Sequence, residues 1–126
     1  MKKAAARLRD AALQADTGEL AGADALWMQV MNDPSADPLL RDVAALQSVL
    51  HQIDNGDTAT LEARLKPLAA PDNPWHALAE EAQAMIDLRQ GHNDAARDTL
   101  KRLAQDVTAP DGVRGRDNGL LARLGE

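Results

Sequence analysis

The sequence predicts an all-α protein: a right-handed stack of antiparallel helical hairpins, about seven helices in one domain spanning 1–126. Three observations lead there. Alanine supplies 25 of the 126 residues and leucine 18, against five valines, two isoleucines and five threonines, a balance that suits helices and leaves little material for a sheet. Pro38, Pro74 and Pro110 recur at intervals of 36 residues, with Gly18, Gly56 and Gly91 between them. Two interleaved series of chain breakers with one period are the signature of repeated hairpins. Between the breakers, apolar residues return at helical rather than strand spacing.

The elements follow in order. Segment 2–16 carries Leu8, Ala12 and Ala15. After Gly18 a second helix carries Leu20, Ala23, Trp27 and Val30, completing a hairpin over 2–33. Asp37-Pro38 reads as an N-cap followed by the first helical position, where proline's missing N–H is harmless. It opens a helix over 38–54 with Val43, Leu46, Leu50 and Ile53, and Leu61, Leu65 and Leu68 complete a second hairpin, 38–69. Asn73-Pro74 repeats the opening signal for a helix over 74–90 with Trp75, Leu78, Ala79, Ala82 and Ile86. Ala96, Leu100, Leu103 and Val107 then close a third hairpin, 74–107. The segment 111–124 offers Val113, Leu120, Leu121 and Leu124 as a capping helix. It is interrupted by Gly115 and Gly119, each of which costs about 1 kcal/mol in a helix interior.

Charge and composition exclude several functions. The net charge of −6 is spread as −1 over 1–36, −3 over 37–73 and −2 over 74–126, so no stretch offers the basic stripe that a nucleic-acid backbone requires. The absence of cysteine removes disulfides, thiolate zinc sites and cysteine nucleophiles, and suits the cytosol or an oxidising compartment equally. Apolar runs are only a few residues long, so no segment is expected to insert into a membrane. Met1-Lys2-Lys3-Ala4-Ala5-Ala6-Arg7 has the charged start of a signal peptide without the apolar segment that should follow.

Residues capable of chemistry are scattered. His51, His76 and His92 fall in three different elements, and His76 with Glu80 on one helix face makes at most two metal ligands, fewer than a closed site needs. Glu80-Glu81 and the group Asp54, Asp57 and Glu62 are the densest carboxylates; the first pair is expected on a solvated face and the second around a turn. The turn Asp54-Asn55-Gly56-Asp57 lacks the alternating oxygen ligands and final glutamate of a calcium loop. The glycines of 112–119 lack the strand and the Gly-Lys-Ser/Thr of a phosphate-binding loop. Trp27 and Trp75 sit on apolar stripes and are expected in the core, with groove lining as the alternative; Met28 and Met31 are expected to complete the packing around Trp27. No catalytic, cofactor-binding or metal residue is therefore assigned, and no cofactor is expected.

Gly18-Glu19-Leu20-Ala21-Gly22-Ala23 and Gly91-His92-Asn93-Asp94-Ala95-Ala96 share a turn glycine with a small residue five positions later, followed four positions on by Trp27 and Leu100. This pattern resembles the tetratricopeptide repeat (TPR), in which the small residue lets the two helices of a repeat approach closely. The middle hairpin departs, since Gly56 is followed at that position by Leu61, and the first helices carry shifted apolar stripes, so the likeness is to a TPR-like domain rather than to the strict consensus. A further resemblance covers most of the chain. Pro38-Leu39-Leu40-Arg41-Asp42-Val43-Ala44, the stretch from Leu65 to Trp75, Leu88-Arg89-Gln90-Gly91 and the ending Leu120-Leu121-Ala122-Arg123-Leu124-Gly125 are similar to the bacterial inner-membrane-anchored TPR-like proteins of the ancillary Sec-translocon-subunit type, in their alphaproteobacterial form.

That resemblance implies a non-enzymatic protein-interaction domain at the periplasmic face of the inner membrane, soluble as given. Its partners would be translocon or periplasmic chaperone components, in a role beside the translocon or in envelope quality control. Proteins of that type carry one transmembrane helix ahead of the domain, so this sequence is expected to be either an excised soluble domain, which a start inside a helical segment favours, or a natural short relative. Two rivals belong to other classes: an enzyme or small-ligand binder with a pocket between hairpins, and a homo-oligomerisation module that pairs its terminal helix faces.

Overall fold

The computed structural model describes residues 2–125. It is all-α, with seven α-helices and no strand among the described residues. These are α1 (Lys2–Asp16), α2 (Leu20–Met31), α3 (Pro38–Gln52), α4 (Thr58–Leu65), α5 (His76–Arg89), α6 (Asn93–Gln105) and α7 (Asp111–Arg123), with a short 3-10 turn at Lys66–Ala69. The 3-10 turn begins where Pro67 can no longer supply an N–H to the α-helical ladder. The chain groups into two compact units, Met1–Gln52 and Ile53–Glu126, divided at the end of α3.

The breakers act through identifiable chemistry. Gly18 and Gly91 adopt φ of +84° and +81°, and each closes the same turn. The Glu19 N–H reaches back to the Gln14 carbonyl and the His92 N–H to the Asp87 carbonyl, both at 2.8 Å, so the last carbonyls of α1 and α5 are satisfied by a left-handed residue that only glycine adopts without strain. Asp37 Oδ1 accepts from the Leu39 N–H at 2.9 Å and Asn73 Oδ1 from the Trp75 N–H at 2.8 Å, the same side-chain turn ahead of two prolines. In the second case the helix starts two residues later than its proline signal, at His76. Before α4, Asp57 caps the helix by accepting from the Thr60 N–H at 3.0 Å.

In the first unit, α1 packs along α2 and α2 along α3. The core is Ala4, Ala11, Ala23, Trp27, Val30, Ala36 and Ala44, one large side chain surrounded by small ones. The buried face of α3 differs from the expected stripe. Ala44, Ala45, Leu46, Ser48 and Val49 are inside, whereas Leu50 is 41% exposed. Ser48 is tolerated there because its hydroxyl donates to Asp24 Oδ1 at 2.6 Å, and Gln52 Nε2 donates to the same oxygen at 3.0 Å, tying α3 to α2.

In the second unit, α5 packs on α6 and α6 on α7. One cluster joins Ala77, Leu103, Ala109 and Val113, and a second joins Ala84, Ala96, Leu100 and Leu121. Val107, expected to end the α6 stripe, is instead 81% exposed. The helix stops at Gln105, Asp106 Oδ1 accepts from the Thr108 N–H at 2.9 Å, and Ala109 takes the buried place. Despite Gly115 and Gly119, α7 is continuous. Ala96 is completely buried, so Ala96→Leu should lower unfolding free energy by about 1–3 kcal/mol, because extra methylenes in a close-packed crossing force neighbours off their rotamers. An unchanged denaturant midpoint would place Ala96 at the surface instead.

Candidate functional site

The first unit carries a groove of about 360 Å³ lined by Leu8, Ala12, Asp16, Trp27, Val43, Gln47 and His51. Its construction follows from helix geometry. Residues four apart stand one above the other on a helix face, so Leu8, Ala12 and Asp16 form one wall on α1 and Val43, Gln47 and His51 the other on α3. Leu39, 54% exposed, continues the α3 row by one further step. The floor is Trp27, which is only 2% exposed and so belongs to both the core and the groove. The His51 ring lies against its indole, with centroids 4.9 Å apart and planes inclined by 36°. His51 Nδ1 is 2.9 Å from the Gln47 carbonyl, which can only accept; the neutral ring therefore carries its proton on Nδ1 and keeps Nε2 as the acceptor. The groove is apolar along its length and polar at the Asp16, Gln47 and His51 end.

The second unit has a groove of about 320 Å³ with a floor of Leu65, Ala69 and Ala79. Its polar rim is largely satisfied from within. Arg102 donates to Glu80 at 2.8 Å, and Gln83 Nε2 donates to Glu62 and to Asp87, both at 3.1 Å.

A third feature is buried. Asp117 is completely inaccessible and Glu81 only 9% exposed. Arg116 donates to Glu81 Oε1 through NH2 at 2.9 Å and Nε at 3.2 Å, while Glu81 Oε2 and both carboxyl oxygens of Asp117 are buried without a donor. Burial, and then the neighbouring Glu81, raise the Asp117 carboxyl from its ordinary 3.8 to about 8, against the opposing influence of Arg116. The surface aspartates behave oppositely. Asp33, Asp57 and Asp106 are held below the ordinary carboxylate value, first by side-chain hydrogen bonds from Ser35, Thr60 and Thr108 and then by the same residues' backbone N–H groups.

The structure corrects one expectation directly: Glu80-Glu81 does not form a solvated pair, since Glu80 turns to Arg102 and Glu81 is buried. It does not bring Asp54, Asp57 and Glu62 together as a site, because Asp57 caps α4 and Glu62 accepts from Gln83. His76 Nδ1 lies 3.2 Å from the Asn73 carbonyl at the start of α5, and His92 is the residue preceding α6. No group of three His, Asp or Glu residues suited to a metal occurs among the described residues. Met31 packs against the first core and Met28 is 41% exposed. Trp75 is half-buried, with Nε1 buried and lacking an acceptor. Comparison of the chain with protein-family models, with curated proteins and with solved structures gives no match.

Proposed function

We propose that this chain is a non-enzymatic protein-interaction domain, a short TPR-like stack of hairpins that holds a segment of a partner protein in the groove over Trp27. The observation that carries this reading is the pair of facing rows, Leu8-Ala12-Asp16 on α1 and Val43-Gln47-His51 on α3, above a tryptophan floor. Such a trough offers apolar contact along a peptide and polar groups to fix its end, and tryptophan is among the residues that most often dominate binding energy at interfaces. The stack itself draws support from the matching glycine turns at Gly18 and Gly91 and from the complete burial of the small residues that follow them, Ala23 and Ala96. A place at the periplasmic face of the bacterial inner membrane, beside the translocon or among chaperones, rests on the family resemblance alone. No helix among the described residues is long and apolar enough to cross a membrane.

Selection of random displayed peptides on the purified protein tests the proposal. The enriched peptides should share apolar residues three or four apart and should bind Ala12→Trp at least about tenfold more weakly than wild type, a loss of about 1.4 kcal/mol. Ala12 is exposed, so the substitution fills the groove without entering the core. Equal affinity for the filled variant, or no enrichment, would remove the groove as the binding site.

A further inference from the structure

The seam between α5 and α7 is apolar at two levels and acidic between them. On α7, Val113, Asp117 and Leu121 occupy successive steps of one face, and all three are buried. On α5, Ala77, Glu81 and Ala84 do the same. Ala77 and Val113 belong to one apolar cluster, and Ala84 and Leu121 to the other. The two carboxyl groups thus interrupt a contact that would otherwise be continuous. The charged groups acting on Asp117 are Glu81 from α5 and Arg116 from α7 itself. The third helix of the seam, α6, contributes Ala96, Leu100 and Leu103, and its Arg102 is engaged with Glu80.

Three buried oxygens without a donor are costly in a folded protein, and two buried carboxylates facing one cation are more so. One proton relieves most of this, because a protonated Asp117 donates to Glu81 Oε2 while Arg116 holds Oε1, leaving one negative charge beside the cation and a single Asp117 oxygen without a donor. We infer that this shared proton is a latch: with it α7 is fastened to α5, and without it α7 is released from the second unit and uncovers the apolar side of α6. No proton is consumed by chemistry; it passes to solvent on opening and returns on closing. The device is separate from the groove over Trp27, and either stands if the other fails.

The direction follows from linkage. The carboxyl holds its proton to about 8 when α7 is docked, against an ordinary 3.8 when it is exposed. Between those limits the docked form binds one more proton than the open form, so docking is strongest below the lower value and weakens by up to about tenfold per pH unit as pH rises towards the upper one. Above it the dependence disappears.

Amide hydrogen exchange of the full chain across this range, corrected for the intrinsic pH dependence of exchange, tests the latch. The expected result is that α7 loses protection as pH rises while α1–α3 keeps its own. Asp117→Asn, whose amide also donates to Glu81, should abolish the pH dependence. Glu81→Gln should end it at a lower pH, since removing the neighbouring carboxylate lets Asp117 ionise more readily; this variant serves if Asp117→Asn does not fold. Wild-type α7 protection independent of pH, or an Asp117→Asn profile parallel to wild type, would overturn the inference.

Discussion

Trp27→Ala is expected to destabilise the protein by about 3–5 kcal/mol, the range for removing a buried aromatic side chain. The upper end is the better guide here, for a reason specific to this core. The other fully buried members of its cluster are Ala4, Ala11, Ala23, Val30, Ala36 and Ala44, too small to fill the space it leaves, so any collapse falls to the partly buried Leu8, Leu26, Met31 and Leu40 packed against the cluster. Cavity cost grows with the volume that cannot collapse, and five alanines offer almost no collapse. His51 would lose its ring contact and the groove its floor. Chemical denaturation gives the total, and hydrogen exchange should show the loss concentrated in α1–α3. A cost below about 1 kcal/mol, the level of an ordinary surface change, would mean that Trp27 does not organise this unit.

Removal of residues 111–126 should have the second large effect. Val113 and Leu121 would be lost from the two clusters of the second unit, and each buried side chain of this kind contributes roughly 1.5–3 kcal/mol. Leu100 and Leu103, completely buried in the intact chain, would be uncovered. The truncated protein should melt at lower temperature and either self-associate or bind an apolar dye. Gly115 and Gly119 leave α7 with little helical preference of its own, so its order depends on this packing. A truncated protein that stays monomeric with an unchanged melting temperature would show α7 to be a dispensable tail.

What the sequence made legible and what it concealed divide along physical lines. Helix number and most boundaries were readable because glycine turns and proline-led starts are local: Gly18 and Gly91 let the N–H of the next residue, Glu19 or His92, reach a carbonyl five residues back. The buried face of α3 was readable only in part. Of the expected stripe Val43, Leu46, Leu50 and Ile53, Leu46 is buried, yet the helix also buries Ala44, Ala45 and Ser48, whose sequence signal is weak and whose small size is what allows close approach. Ser48 is inside only because Asp24, 24 residues earlier, accepts its hydroxyl, and no local pattern reports such a partner. The acid pair was concealed in the same way, since twenty acidic residues give no hint which two meet. One sign was present: Asp117 lies midway between Val113 and Leu121 on a single face, an acid where the period demands an apolar residue. The walls of the groove were not legible either: the expected stripes run Leu8-Ala12-Ala15 and Val43-Leu46-Leu50-Ile53, and Asp16, Gln47 and His51 become wall residues only because the fold sets the two helices on opposite sides of Trp27.

The most direct test of the interaction proposal is amide chemical-shift mapping of the wild-type protein during titration with a selected peptide. The account predicts saturable changes centred on Leu8, Ala12, Asp16, Val43, Gln47 and His51. Changes confined to the groove of Leu65, Ala69 and Arg102, or to α7, would contradict it.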